Sequence, residues 1–424
     1  MRLAALVSLL LTAPALAGEV VFCIGGDEAK GREHATAGGG KWTKENLPKA
    51  FGWAAEALAG KDTSVLIKVA AGDYVGEQAL PAFGSPRGKL RISGGWDPTF
   101  TTRDPFRTPS RFLAGSGRGG PMLLFAAKDQ LGGLALDGLL FDVAGSNSYD
   151  QKTNSLLKGT SSTHVVLRFN NLATDALTIE HCVFMNSPHR AFETLIMTLS
   201  DKCEVRLYNS VFFNCLIPVK LDSCRQKTIP ARMTVDHCSF ICNWAFNPDP
   251  NTSNPAALEL GGKYAAHELV ISNNLFYANF GGAIMNIETS QTKVTLTNND
   301  FVGNGLLHGD ADPAAAAMLV GRKQPIPVGK VVDAEEDPTL GGNCSVPPGL
   351  TVSLGNPKAV DVDKVKVEKG WENEARRLLG QPLQGGSVAI KDFAPRKEWD
   401  TENPPFPTAD EAKKYGASPD LVPR

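Results

Sequence analysis

Six eight-residue segments of this chain can be laid over one another without a gap, and that self-similarity confines it to a repeat architecture. They are LALDGLLF (Leu134 to Phe141), LTIEHCVF (Leu177 to Phe184), VRLYNSVF (Val205 to Phe212), MTVDHCSF (Met233 to Phe240), LVISNNLF (Leu269 to Phe276) and VTLTNNDF (Val294 to Phe301). Their starts are 43, 28, 28, 36 and 25 residues apart. Phe closes every one of them. The first and third positions are aliphatic, with Met233 as the one variant. The fifth and sixth positions favour small or polar residues, as in His181-Cys182, Asn209-Ser210, His237-Cys238, Asn273-Asn274 and Asn298-Asn299.

The alternation has period 2, which puts the first and third positions on one face of a strand and excludes a helical solenoid. The polar pair turns the chain, and the Phe then falls on a second inward strand. A repeat of ~25 residues holds three short strands and three turns, so each repeat reads as one coil. Stacked coils lie ~4.8 Å apart, which aligns like residues in rows. The closing Phe residues are expected as one internal aromatic stack, and the Asn pairs as an amide ladder along a turn.

LVISNNLFYAN and VTLTNNDFVGN resemble coils of the right-handed parallel β-helix of the pectin-lyase-like superfamily. VLIKVAAGDYVG (Val65 to Gly76) and LRISGGWDPTFTTRDP (Leu90 to Pro105) look like its opening coils. The resemblance implies an all-β right-handed parallel β-helix over 64–345. That superfamily includes pectate, pectin and alginate lyases, polygalacturonases, phage tailspikes, adhesins and inert surface proteins, so the fold leaves function open.

The flanks divide the rest. Residues 1–17 carry one Arg, an apolar run and the small-x-small end Ala15-Leu16-Ala17, the pattern of a secretory signal peptide cut before Gly18. The apolar run is short for a bilayer span, and no later stretch has the length of one. A periplasmic or extracellular location is expected. Within 18–63, a flexible entry precedes an amphipathic capping helix at 43–60, with Leu47, Phe51, Ala54 and Leu58 near one face and Pro48 in its first turn. The cap would cover the open strand edges of the first coil. Residues 346–424 read as an irregular extension with a short helix near 371–379 and a Pro-rich tail, in which Trp399 and Phe406 favour docking on the outside. Lys plus Arg is 43 against 45 Asp plus Glu, a net charge of -2, which argues against a nucleic-acid partner.

An oxidising compartment permits disulfides among the 8 cysteines. Cys203 and Cys224 each precede a repeat start on successive coils, and Cys215 and Cys242 follow Phe212 and Phe240 at nearly equal offset. One rung of ~4.8 Å suits a disulfide, so both pairs are expected to be bridged. Cys182 and Cys238 lie two rungs apart and are expected to be reduced and buried. Cys23 and Cys344 stay unassigned. A zinc site is not expected, because no C-x2-C pair exists.

The resemblance also implies a glycan groove along the sheet that follows each Phe strand, at 195–199, 218–222, 256–260, 283–287 and 316–320. Its outward row would hold Thr198, Lys220, Glu259 and Asn286, with His189, Arg190, Asp222 and Lys263 on flanking turns. Thr198, Asn286, Lys263 and His189 are the candidate ligand-binding residues, and Lys220, Glu259, Arg190 and Asp222 the candidate catalytic ones. A β-eliminating lyase needs a Lys or Arg base and a cation beside the uronate carboxylate. Calcium enters only under that reading, and the row, with one Glu and one edge Asp, departs from the several carboxylates on adjacent rungs that the calcium-binding lyases of this fold carry. A glycoside hydrolase needs two carboxylates ~5–9.5 Å apart, for which Asp222 and Glu259 are the pair, though the polygalacturonase motifs are absent. The competing interpretation is a stacked ion pair of Lys220 with Glu259, worth ~0–1 kcal/mol. His181 and His237 read as turn residues, and Asp97, Arg103 and Asp104 as a structural turn network. The preferred function is a cofactor-free binding or structural module facing a polysaccharide or a cell-envelope protein; the alternative is a lyase or hydrolase of an acidic polysaccharide.

Overall fold

The period-2 segments form the coils of a parallel β-helix. The computed structural model describes residues 19–350, except for a number of segments between strands, and residues 397–423. Three parallel sheets run the length of the stack. The first begins at Trp42–Thr43 and Glu19–Ile24 and ends at Lys293–Thr297. The second takes the short strand that closes each repeat, from Gly72–Val75 to Asp300–Val302. The third runs from Leu123–Ala126 to Met318–Val320 and ends on an antiparallel strand, Gln324–Ile326.

The repeats stack in the register their alignment predicts. Leu177 pairs with Val205, Val205 with Met233, Met233 with Leu269 and Leu269 with Val294. Phe141, Phe184, Phe212, Phe240, Phe276 and Phe301 form one buried stack with ring centroids 4.8–5.2 Å apart. Phe112 extends it by one rung at 5.3 Å. Each buried ring contributes ~1.5–3 kcal/mol by leaving water.

Both turns that flank the Phe strand use a left-handed residue in coil after coil. Before it stand Gly138, His181, Asn209, His237, Asn273 and Asn298, with φ between 45° and 69°. After it stand Asn186, Asn214, Cys242, Ala278 and Gly303, with φ between 50° and 60°. Asn tolerates this region better than most residues and Gly best. The residue after each left-handed position points inward. At the first turn this builds the expected ladder, in which the Asn274 amide donates to Asn299 (2.9 Å) and Asn299 to Asn343 (3.0 Å). A second ladder, Asn243 to Asn279 to Asn304, runs along the other turn at 2.8 and 2.7 Å. These amides also meet backbone groups, so the polar lining of the coil is satisfied rather than stranded.

The N-terminal end is more ordered than the sequence suggests. Where a flexible entry is expected, Glu19–Ile24 pairs in parallel with Ser64–Ala70, and a helix α1 (Glu28–Ala37) follows, capped by Asp27. The expected capping helix is α2 (Leu47–Leu58), with Asn46 as its cap and Pro48 in its first turn. Leu47, Ala50, Phe51, Ala54 and Leu58 close the core over Val65, Ile67 and Leu90. No helix among the described residues is long and apolar enough to cross a membrane.

The disulfide expectation is corrected. Cys215 and Cys242 are not bridged by a disulfide, nor are Cys23, Cys182, Cys238 and Cys344. The reason is a one-residue offset: Cys215 stands three residues after its Phe and Cys242 two. Cys215 therefore takes the inward position, where its amide donates to Asn243 Oδ1, while Cys242 takes the left-handed position and faces the outside of the second sheet. One step along a strand reverses the face, so proximity by rung is not enough. Burial pushes the Cys215 thiol up to about 12. Cys203 and Cys224 lie outside the described residues. Cys182 and Cys238 are buried and reduced as expected.

Candidate functional site

The row of the third sheet that holds Lys220 is read from its register, and Glu259 within it is buried. Leu124 is followed by Arg168, Glu193, Lys220, Glu259, Met285 and Leu319 on successive rungs. Lys220 and Glu259 do stand side by side as expected. Glu193 is the other neighbour of Lys220, because its strand is Arg190–Leu195, earlier than the 195–199 expected. On the next strand Ile284 is buried in the core, and Met285 takes the rung beside Glu259 where Asn286 is expected. Thr198, Asn286, Asp222, Lys263 and His189 lie outside the described residues, and so does the 371–379 helix. Arg190 opens its strand opposite Ile217.

Arg168, Glu193, Lys220 and Glu259 alternate in sign and sum to zero. A second ladder of this kind follows the edge of the first sheet: Glu204, Arg232, Glu268 and Lys293. There Arg232 Nε is 3.6 Å and Lys293 Nζ 3.9 Å from the Glu268 carboxylate. Alternation at one charge per ~4.8 Å rung removes like-charge neighbours and leaves no net field to attract a polyanion.

A denser cluster sits on the outer face of the first sheet. Its centre is Asp137, the fourth residue of its repeat, which is fully buried. The Asp137 carboxylate accepts from Arg91, Arg103 and His181 Nδ1, the last at 2.8 Å, and Arg91 also reaches Glu180 at 3.1 Å. Burial alone would raise the Asp137 carboxyl. The Arg103 charge, the His181 hydrogen bond and the Arg91 charge outweigh it and hold the group far below the usual carboxylate range. Asp137, Glu180 and His181 bring ligand atoms within 4.8 Å of one another. Two guanidinium groups already supply the positive charge there, so the cluster is a closed ion network rather than an open metal cage. Arg103 also donates to the Gly94 carbonyl at 2.8 Å, which ties the network to the neighbouring turn.

Asp97 and Asp104 do serve as turn residues. Burial raises the Asp97 carboxyl, but bonds from the Thr99 hydroxyl and the amides of Thr102, Thr101 and Thr99 together outweigh it and bring it to about 2. Asp104 accepts from the amides of Phe106 and Arg107. The centre of the cluster is not legible in the sequence, because the fourth repeat position, held by Asp137, Glu180, Tyr208 and Asp236, looks variable rather than periodic. Its signal was two acidic residues facing outward on consecutive coils.

The outer face of the second sheet is apolar and covered. Leu140, Val183, Val211, Phe213 and Ile241 form a buried cluster with residues of the C-terminal segment 397–423, here called the strap. Phe406 meets Phe106 edge-on at 4.9 Å, and Trp399 Nε1 donates to the Phe106 carbonyl at 2.8 Å. Docking of Trp399 and Phe406 thus matches the sequence. Near its end the strap crosses the coils: Gly416 N donates to Asn273 O, Ala417 N to Ser239 Oγ, Ser418 N to Asn209 Oδ1, and the Leu421 carbonyl lies 3.3 Å from His181 Nε2. A Cβ on Gly416 would come within 2.4 Å of Ser239 Oγ, so the close approach needs glycine.

No protein-family model, no curated protein and no solved structure matches this chain. Its architecture is that of a generic β-solenoid, a rigid structural module of parallel sheets.

Proposed function

We propose that the chain is an exported β-helix module that presents a rigid face to a polysaccharide or protein of the cell envelope. The carrying observation is the charge-alternating row of the third sheet, where Lys220 stands between Glu193 and Glu259. A lyase site needs a base free to accept a proton and a cation site beside it. A row of opposite charges at rung spacing instead suits a polar recognition surface on a stiff scaffold. Export is supported by the signal-like residues 1–17, and N-terminal sequencing of protein recovered from the periplasm or medium should begin at Gly18. The enzymatic reading is tested by turnover on alginate, pectate and glycosaminoglycan polymers, with and without calcium, for the wild type and Lys220→Ala. We expect no unsaturated product from either protein. Robust turnover abolished by that substitution would establish a lyase and overturn the binding reading.

A further inference from the structure

Two asparagines on the outside of the coils hold the strap in the same manner. The Asn186 amide donates to the Lys397 carbonyl and accepts from the Lys397 N–H, both at 2.8 Å. Asn209 donates to the Ser418 carbonyl at 2.9 Å and accepts from the Ser418 N–H at 2.7 Å. An asparagine side chain carries one N–H and one C=O side by side, as a peptide unit does. It can therefore pair with both backbone groups of a single extended residue, and Ser418 is extended, with φ -145° and ψ 141°. Neither clamp reads a strap side chain. Asn186 and Asn209 both occupy left-handed turn positions, with φ 58° and 45°, which aim them away from the core. The strap's aromatics, Trp399 and Phe406, pack on Phe106 of the apolar cluster that covers the second sheet.

We propose that the outer face of the second sheet is a docking groove for extended polypeptide, and that the segment it takes in trans is the strap of a second copy of this chain. Main-chain bonding with aromatic anchors is the physics of strand-like peptide recognition. It makes the groove equally complementary to its own strap and to a neighbour's. The strap's reach allows the exchange. Leu350 sits at the Tyr277 rung and Lys397 at the Asn186 rung, three coils or ~14 Å away. Residues 351–396 join them, several times the chain length that gap requires at ~3.3 Å per residue. Exchange of an identical element between protomers is a low-cost route to assembly, because it makes no contact the single chain lacks.

The test uses two measurements. Full-length wild-type chain is prepared with and without 15N, mixed, and cross-linked through Lys397 and Lys413 at increasing concentration. Mixed-isotope links between strap and body are expected to rise with concentration. Links confined to one isotope at every concentration would overturn the exchange. Separately, a fluorescein-labelled synthetic peptide of residues 397–424 is titrated into full-length chain carrying Trp399→Ala and Phe406→Ala, which weaken its own strap. Saturable binding is expected, weakened at least tenfold when Asn186→Ala and Asn209→Ala are added. Binding that ignores the asparagine substitutions, or no binding to a variant whose circular dichroism shows an intact fold, would overturn the groove. The isotope experiment needs no variant, so it decides the exchange whether or not the weakened chain folds.

Discussion

The second sheet has two faces made from alternate residues of the same three-residue strands, and they are stabilised in opposite ways. Inward, one Phe per coil repeats itself, and the stack is local: each ring meets the next coil's ring at about 5 Å. Outward, Val183, Val211, Ser239, Leu275 and Asp300 share one row with no common residue type. That face is closed by a segment some 200 residues further along the chain. Repetition therefore builds the solenoid from inside, while a non-repeating strap finishes it from outside. A solenoid can nucleate on nearest-neighbour contacts, but the strap pays a long-range closure entropy before its contacts form.

The sharpest way to break that contrast is to truncate one aromatic on each face. Phe240→Ala removes the ring between Phe212 and Phe276 and leaves a cavity in a fully buried row. It should cost ~3–5 kcal/mol in denaturant titration. Trp399→Ala removes a partly buried ring from the strap and one hydrogen bond to Phe106. It should cost about 1–2 kcal/mol, with proteolysis at the strap rising before the coils unfold. Equal costs would mean that the two faces are one cooperative unit.

The difference between the faces also explains what could be read in advance. The Phe stack and the first asparagine ladder recur at fixed offsets, so spacing alone places them. The second ladder was present in the sequence as well, three residues after Phe240, Phe276 and Phe301, but only as Asn243, Asn279 and Asn304 at the ends of motifs. The Cys215–Cys242 pairing failed by a single residue, where period-2 geometry allows no tolerance. The Asp137 network drew its members from Arg91, Arg103 and Glu180, on different coils and a turn, and no periodicity links those positions. The strap's path was legible only as two aromatic residues in a Pro-rich tail, since its partners are amides and carbonyls of distant coils. Tertiary pairing of that kind leaves no mark on local sequence.

A second, smaller effect tests the outer face electrostatically. Asp300 follows Leu275 in its row and is buried beside the strap. Its Oδ1 accepts from Val346 N at 2.8 Å and from Cys344 Sγ at 3.6 Å, while Oδ2 has no partner. Burial pushes the carboxyl up to about 7, against smaller lowering effects from the Val346 amide, the Cys344 thiol and the Lys414 charge. The folded state thus holds the proton more tightly than the unfolded chain. Stability should fall as pH rises from about 4 to about 7 and level off above. Asp300→Asn keeps the acceptor for Val346 and removes the ionisation. It should stabilise the protein by roughly 3–4 kcal/mol at pH 8, leave it nearly unchanged at pH 4, and flatten the profile between. A wild-type profile already flat in that range would show that Asp300 reaches water.

The smallest effect lies at the turn that leads from the second sheet toward the third. Five coils place Asn186, Asn214, Cys242, Ala278 and Gly303 at one left-handed position. The two asparagines gain hydrogen bonds there, Asn186 to Asp142 and Asn214 to Asn186. Gly303 adopts the conformation without a steric cost. Ala278, with φ 54°, has neither compensation: its Cβ approaches the following carbonyl in a region that costs an L-residue ~1–2 kcal/mol. Ala278→Gly relieves that strain but widens the unfolded ensemble by about 0.4–1 kcal/mol and gives up a buried methyl under the strap. The balance is a gain of about 0.5 kcal/mol, visible as a small rise in the denaturant midpoint with an unchanged slope. The same change at Asn214, whose amide bonds to Asn186, should be destabilising instead. Opposite signs at two equivalent turn positions would locate the stabilisation in side-chain bonding along the outer edge; equal signs would locate it in backbone conformation alone.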